Sequence, residues 1–331
     1  MPKSFKYYRN KKVAVSGASG FIGSYLLNEL NKHAKLACGI SRKKTKIGKL
    51  KFLKVDLSNT SSVKKIVNKF DIFFHFASNT NLLKAEKNPQ YNFDSNVRPL
   101  INLITSAAFL KKKIKIIFAS TGTVYGLSKK KFVTENDDTK PVTVYDKHKL
   151  LVENILKVNT QFNIIDSISL RIQSVYGPSL KKSKDISRGV LNKIINQSIK
   201  GKAIRVYGKG NYFRNYIHIK DLVNGILFAG INKKINGMAL NIGTVKTYNF
   251  LNVCRILQRQ IFKLKKKKIK IIFAKWPKKY KLIEKRKYVL NSKKFKKITK
   301  WKESIAIDEG IGSTINFFDS MKKIYKNRVL L

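Results

Sequence analysis

Tyr145 and Lys149, four apart in Tyr145-Asp146-Lys147-His148-Lys149, have the types and spacing for proton-transfer chemistry. On a helix, positions i and i+4 share a face, so phenol and ammonium enter one pocket. A nearby cation favours the phenolate, drawing a tyrosine from its ordinary pKa of roughly 10 towards neutrality, where it serves as general acid or base. With 14 tyrosines and 71 lysines and arginines in the chain, such a pair also arises by accident. The elements that must position it therefore carry the argument.

Lys12-Val13-Ala14-Val15-Ser16 predicts a strand, followed by Gly17-Ala18-Ser19-Gly20-Phe21-Ile22-Gly23 and a helix on which Phe21, Leu26, Leu27 and Leu30 recur at helical spacing. A strand, a glycine turn and a helix form a dinucleotide-binding arrangement, with phosphate met by free N–H groups at the helix start. A second strand over 36–40 runs into Ser41-Arg42-Lys43-Lys44. An NAD site places an acid there for the ribose 2′-hydroxyl. Ser41 and Arg42 suit a 2′-phosphate instead, which favours NADP, although a lysine-rich chain also makes basic loops by chance. Further strands are predicted over 52–57, 71–78 and 114–118, near-continuous apolar runs that suit parallel strands buried on both faces. His75, inside one of them, reads as a satisfied core histidine. A long helix is predicted over 93–109, carrying Asn96. The fifth strand ends in Ala119-Ser120-Thr121-Gly122-Thr123-Val124-Tyr125-Gly126, hydroxyls placed where open α/β sheets bind ligands.

At 331 residues, 43% hydrophobic, the chain buries a large core as one α/β unit or two intimate lobes. No apolar run approaches the ~20 residues that span a bilayer, so no membrane partner is expected. The basic residues 1–12 leave little room for a presequence before the first strand. Cys38 and Cys254 are far apart without metal-ligand spacing, which implies no metal site and a reducing, cytoplasmic compartment. The formal charge of +53 is spread along the chain, in runs such as 111–113, 129–131 and 265–268, with abundant Ile, Asn, Phe and Tyr. That pattern reads as compositional bias and a solvated surface. No helix-turn-helix, zinc-ligand or aromatic RNA-binding signature accompanies it, so no specific nucleic-acid partner is expected. The field still attracts anionic substrates.

These segments together resemble the extended short-chain dehydrogenase/reductase family of nucleotide-sugar epimerases, dehydratases and reductases. The matching stretches run in family order: 17–23, Asp56-Leu57, 75–78, Asn96, 120–126, Tyr145/Lys149 with Glu153, and 171–178. They continue with 206–210, Arg214-Asn215-Tyr216-Ile217-His218 with Asp221, Asn241-Ile242-Gly243, and Trp301 ahead of Glu309-Gly310. The resemblance implies a Rossmann-type doubly wound parallel sheet with a smaller C-terminal α/β lobe for the substrate. It places the dinucleotide domain at 1–175 plus 217–246 and the nucleotide-sugar lobe at 176–216 plus 247–331, with 263–270 leading into a strand over 269–273.

The resemblance further implies that Thr121 hydrogen-bonds the sugar oxygen at the reacting carbon. Tyr145 is the acid/base, and Lys149 holds the nicotinamide ribose and lowers the tyrosine pKa. Gly17, Ser19, Gly20, Phe21, Ile22, Gly23, Ser41, Arg42, Ala77, Ser78 and Asn96 are expected along the cofactor, with Asp56 and Leu57 bordering the adenine. Arg214 clamps the diphosphate, and Arg286, or else Lys281 or Lys285, supplies a second clamp. Gly122-Thr123 replaces the Asp-Glu pair of the family's 4,6-dehydratases, which argues against dehydration. Ser174, expected at the substrate, replaces a common asparagine; His148 replaces a frequent serine, and Asn215 a usual aspartate.

The expected function is epimerisation at C4 of a nucleotide-diphosphate sugar through a 4-keto intermediate. An NADPH-dependent 4-ketoreductase is the alternative. A non-catalytic family member binding RNA or a protein partner through its basic surface is a third reading, opposed by the intact Thr121/Tyr145/Lys149 set. Family members often dimerise through two helices, here 93–109 and 145–159, so a homodimer is expected.

Overall fold

Apolar runs such as Val13-Ala14-Val15, Ile72-Phe73-Phe74 and Ile116-Ile117-Phe118 are buried at every position, which only a strand covered on both faces permits. In the computed structural model, which describes residues 3–180, 189–276, 286 and 288–327, they build one seven-stranded parallel sheet. Its strands include β1 (Lys12–Ser16), β2 (Leu36–Ser41), β3 (Phe52–Lys54), β4 (Ile72–His75) and β5 (Lys115–Thr121). The order is Ala239–Ile242, Asp166–Ile172, β5, β4, β1, β2, β3. β1 and β4 are neighbours, with Ser16 beside His75, yet the chain leaves them in opposite directions. Their C-terminal ends therefore flank the crevice where such sheets bind ligands.

One face is covered by α1 (Phe21–His33), the Ile219–Ile231 helix and the 3₁₀ turn Lys3–Asn10; the other by Thr60–Val67, Arg98–Phe109 and Val144–Gln161. The basic N-terminal stretch thus contributes to the core: Tyr8 is fully buried and its hydroxyl donates to the Leu227 carbonyl at 2.8 Å.

Three predicted elements differ. The third strand stops at Lys54 rather than 57, because Asp56 turns the chain by accepting from the Ser58 N–H at 2.9 Å. The helix predicted over 93–109 is two helices, Pro89–Asn96 and Arg98–Phe109, joined at Val97. Pro99 has no N–H to continue the ladder there. The strand predicted over 269–273 is Ile271–Ala274.

A second unit surrounds the parallel pair Ile204–Tyr207 and Ile271–Ala274. The helices Val190–Ile199, Phe250–Lys265 and Ile307–Asn327 bury Ile195, Val253, Leu257, Ile311 and Ile315 in its core. Between them the chain returns to the first unit, Tyr216–His218 pairing Ser174–Tyr176 and Ala239–Ile242 joining the large sheet. Phe295 and Trp301, expected in the smaller lobe, pack instead in the core of the larger one. Asp221 fastens the crossing, its carboxylate accepting from the Ser304 N–H at 3.1 Å and the Ile305 N–H at 3.0 Å. Among the described residues no helix is long and apolar enough to cross a membrane.

Candidate active site

Gly17 follows β1 at φ +69°, and a Cβ there would lie 2.6 Å from the Phe76 carbonyl and the Ala77 nitrogen. Only glycine permits both the backbone angle and the approach of β1 to the end of β4. A Cβ on Gly23 would meet the Gly17 oxygen at 2.3 Å, so helix and loop are pressed together. α1 begins after Gly20 with no side chain capping it, leaving first-turn N–H groups, near Ser19, Phe21 and Ile22, for an anion. The cradle that side chains would fill and the uncapped helix start fit a dinucleotide pyrophosphate.

The remaining predicted cofactor residues lie at the same ends of the strands. Ser41 ends β2 and accepts from Thr45 Oγ1 at 3.0 Å, and Arg42 beyond it is exposed. Asp56 is exposed after β3, while Leu57 is buried with its carbonyl accepting from Asn102 Nδ2 at 2.9 Å. Ala77 N–H donates to Ser16 Oγ at 3.2 Å. Asn96 is buried and accepts from Ser78 Oγ at 3.0 Å and from the Asn79 N–H at 2.8 Å. It fixes the Ser78 hydroxyl, which lowers the pKa of the neighbouring Tyr145 phenol. Beyond it, Asn92 Oδ1 meets His148 Nδ1 at 2.8 Å, which is the use made of that histidine.

Tyr145 and Lys149 stand on the Val144–Gln161 helix, capped by Thr143, with the Lys149 Nζ 5.7 Å from the centre of the Tyr145 ring. Lys149 is 2% exposed and donates to the Ala119 carbonyl at 2.7 Å. The expected electrostatics are corrected here. Burial and then the Asp146 carboxylate push the Tyr145 phenol above its ordinary value, and Ser78 opposes them. Burial draws the Lys149 ammonium down to about 7, with Glu153 opposing. In this environment loss of solvent outweighs the pairing that the spacing alone suggests.

Glu153 belongs to a buried network behind the pair. Arg171 grips its carboxylate through Nε at 3.1 Å and a terminal nitrogen at 2.7 Å, and Ser120 Oγ donates to it as well. Arg171 also donates to the Tyr125 hydroxyl at 2.8 Å, which passes to Asn241 Oδ1 at 2.9 Å. A paired buried carboxylate of this kind fixes the end of β5 against the Tyr145 helix. His75 is satisfied on one side only: Nδ1 meets Ser16 Oγ at 2.9 Å, whereas Nε2 is buried without a partner among the described residues. Burial, and then Lys149, lower its pKa to about 3, so the ring is neutral.

A cavity of about 200 Å³ opens beside this machinery, lined by Thr121, Thr123, Ser174, Arg214, Arg286 and Tyr288. It brings together the four residues expected at the substrate. Tyr145 and Lys149 are not in its wall. Arg214 donates to the Arg286 carbonyl at 3.0 Å, so the two arginine segments are joined. Lys281 and Lys285 lie outside the described residues.

Leu290 lies over Gly122, its side-chain end 2.5 Å from where a Cβ would stand, so a larger residue there would have to displace that side chain. Asn215 needs its amide: Oδ1 accepts from the Leu290 N–H at 3.0 Å while Nδ2 donates to the Thr244 carbonyl at 3.2 Å. An aspartate does only the first of these.

Two residues escaped the sequence reading. Asp146 is buried, 4% exposed; its Oδ2 accepts from Thr143 Oγ1 at 2.8 Å and its Oδ1 from Thr123 Oγ1. Thr123 Oγ1 in turn lies 2.8 Å from Thr121 Oγ1. Thr143-x-x-Asp146 is visible in the sequence as a helix-start pattern, but nothing local reveals the link to Thr123. Among the described residues no cluster of His, Cys, Asp or Glu is placed to hold a metal.

A family model, the NAD dependent epimerase/dehydratase family, matches residues 13–243. The UDP-N-acetyl-alpha-D-glucosaminuronate decarboxylase of Bacillus cytotoxicus is 26% identical, over 93% of this chain and 98% of that protein. The UDP-glucose 4-epimerase of Lactobacillus helveticus is 27% identical, over 73% of this chain and 79% of that one. Among solved structures, a UDP-glucose 4-epimerase of Thermotoga maritima with UDP-glucose superposes with a TM-score of 0.81 at 21% identity. The match covers 94% of this chain and 99% of that one.

Proposed function

We propose, for a chain that belongs to the NAD dependent epimerase/dehydratase family, the activity of a nucleotide-sugar 4-epimerase with NAD as cofactor. The observation that carries this reading is one cavity lined by Thr121 and by two joined arginine segments, Arg214 and Arg286. Two guanidinium groups suit a diphosphate, and a hydroxyl in the same lining suits the sugar ring that such a diphosphate carries. Relatives named as UDP-sugar epimerases support the substrate class.

The residues that would hold the cofactor are the 17–23 loop, Ala77, Ser78 and Lys149. A nicotinamide bound there would supply reversible hydride acceptance at C4 of the sugar. Tyr145 exchanges the proton of the 4-hydroxyl, with Ser78, itself held by Asn96, beside the phenol. Lys149 sets the ribose side of the site, and Arg214 and Arg286 keep the diphosphate fixed while the 4-keto sugar turns over. Thr121 contacts the sugar oxygen, and Ser174 borders the ring. Gly122-Thr123 carries no carboxylate of the kind that eliminating water would need.

The nucleotide pocket takes the 2′-phosphate of NADP as well, through Ser41 and Arg42 at the tip of β2, a charge-assisted contact of roughly 1.5–3 kcal/mol. The same residues serve a one-way 4-ketoreductase. Whole-chain similarity to a protein named as a sugar-acid decarboxylase favours another second reading. C4 oxidation puts a carbonyl β to a C6 carboxylate, a position that loses carbon dioxide readily. A homodimer is supported by apolar side chains exposed on or beside the two helices expected to pair, Phe109, Leu151, Val158 and Phe162.

The test is incubation with pairs of C4-epimeric UDP-sugars, neutral and acidic, with chromatography of products and absorbance of the nicotinamide. Interconversion of epimers without stoichiometric change in the nicotinamide is expected. Steady NADPH oxidation without interconversion, or release of carbon dioxide, refutes the epimerase assignment in favour of the corresponding second reading.

A further inference from the structure

Asp146 is a buried carboxylate to which the proposed reaction gives no part. Both its oxygens are held by hydroxyls, Thr143 Oγ1 on Oδ2 and Thr123 Oγ1 on Oδ1. Among the described residues no cation lies in ion-pair distance of it. A helix-start carboxylate accounts for the first contact, because Thr143 caps this helix and accepts from the Asp146 N–H at 3.2 Å. It does not account for the second, which turns Oδ1 away from the cap towards the cavity.

Hydrogen counting then fixes a direction. A hydroxyl has one proton to give, and an ionised carboxylate only accepts. Thr123 gives its proton to Asp146, so in the 2.8 Å contact between Thr121 and Thr123 the donor is Thr121. Thr121 Oγ1 also accepts from the Thr123 N–H at 3.2 Å. One lone pair remains to it, and that lone pair is offered to the cavity that Thr121 lines. Towards a sugar hydroxyl Thr121 is therefore an acceptor, and it cannot donate to a ketone oxygen unless the whole chain of hydroxyls reverses.

We infer that Thr121, Thr123 and Asp146 form a proton relay, with Asp146 as a second acceptor, beside Tyr145, for the proton of the sugar hydroxyl. The inference rests on the epimerase reading and deepens it. As C4 gives its hydride to the oxidised nicotinamide, the O–H bond of the 4-hydroxyl breaks and its proton passes to Thr121 Oγ1. Thr121 gives its own proton to Thr123, and Thr123 gives its own to the Asp146 carboxylate. By this second route the products are the 4-keto sugar, reduced nicotinamide and a neutral Asp146, with the chain reversed so that Thr121 donates to the ketone. Return of the hydride to the other face draws the proton back and restores every group.

Infrared difference spectroscopy of the holoenzyme, before and after a nucleotide sugar reduces the bound nicotinamide, reads the step directly. The carbonyl stretch of a protonated carboxylic acid should appear with the reduced nicotinamide in Tyr145→Phe, where the relay is the acceptor left, and in its combination with Thr123→Ser. It should vanish when Thr123→Val, which keeps shape and removes the hydroxyl, or Asp146→Asn is added to it. In single turnover, adding Thr123→Val to Tyr145→Phe should cost about another 100-fold, the low end for a positioned acid–base group. Reduced nicotinamide without the acid band in Tyr145→Phe overturns the relay and leaves the epimerase reading standing, as does a double variant no slower than Tyr145→Phe. Failure of every nucleotide sugar to reduce the nicotinamide brings down that reading and the relay with it.

Discussion

Replacing Lys149 with methionine should stabilise the cofactor-free protein at neutral and acid pH, and the gain should disappear on the alkaline side. The ammonium is 2% exposed, and burial lowers its pKa from 10.5 to about 7 against the opposing pull of Glu153. That gap corresponds to about 5 kcal/mol at about 1.4 kcal/mol per pH unit. The folded value lies below the unfolded one, so between them the unfolded chain binds the extra proton and stability rises with pH. The penalty is fully present below about 7, fades between 7 and 10.5, and is gone above 10.5. Methionine carries no such penalty but forfeits the bond to the Ala119 carbonyl, about 1 kcal/mol at every pH. Lys115, lowered by burial to about 8, adds a similar slope to both proteins and cancels in the difference. Lys149→Met should therefore exceed the native protein by about 3–5 kcal/mol near pH 6 and fall level with it or slightly below near pH 10.5. Urea denaturation across that range measures it. A difference between the two proteins that does not change with pH would refute the argument.

Tyr145→Phe should bind the dinucleotide as the native protein does and lose at least ~100-fold in turnover; calorimetry and product assays check the two halves, and an active phenylalanine variant leaves the hydroxyl without a role. Light scattering should give the mass of two chains, and Phe109→Glu with Val158→Glu should give one, while unchanged mass would place the interface elsewhere. Binding to duplex DNA or RNA should be weak and collapse between low and physiological salt, as counterion release without base contacts requires. Salt-resistant, sequence-selective binding would restore the nucleic-acid reading of the +53 charge.

What the sequence made legible is what the chain repeats or what chemistry dictates. β1, β2, β4 and β5 were readable because burial on both faces demands unbroken apolar runs. The 17–23 loop was readable because only glycine tolerates the angle and the contact found at Gly17. Thr121, Ser174, Arg214 and Arg286, on four separate segments, were placed by resemblance, and they line one cavity. The end of β3 was not readable, since Val55 and Leu57 continue the apolar pattern past the turn that the Asp56 side chain makes. Nor was the joint at Val97, where a single missing N–H divides an otherwise helical pattern. The protonation of Tyr145 was misjudged because a spacing rule sees the lysine and not the burial or the neighbouring carboxylate. Asp146 itself was passed over because its second partner, Thr123, sits 23 residues away on another element.

The position of Trp301 has a consequence for how the protein is made. The core beneath the large sheet is closed by Phe5 and Tyr8 from one end of the chain and by Phe295 and Trp301 from the other. On the ribosome, the early strands emerge long before the residues that cover them. Neither that core nor the Asp221 fastening to Ser304 and Ile305 can be completed until residues 295–305 have been synthesised. Contacts of such sequence separation slow folding. The nascent chain therefore keeps apolar sheet surface open to chaperones until Phe295 and Trp301 have emerged to cover it.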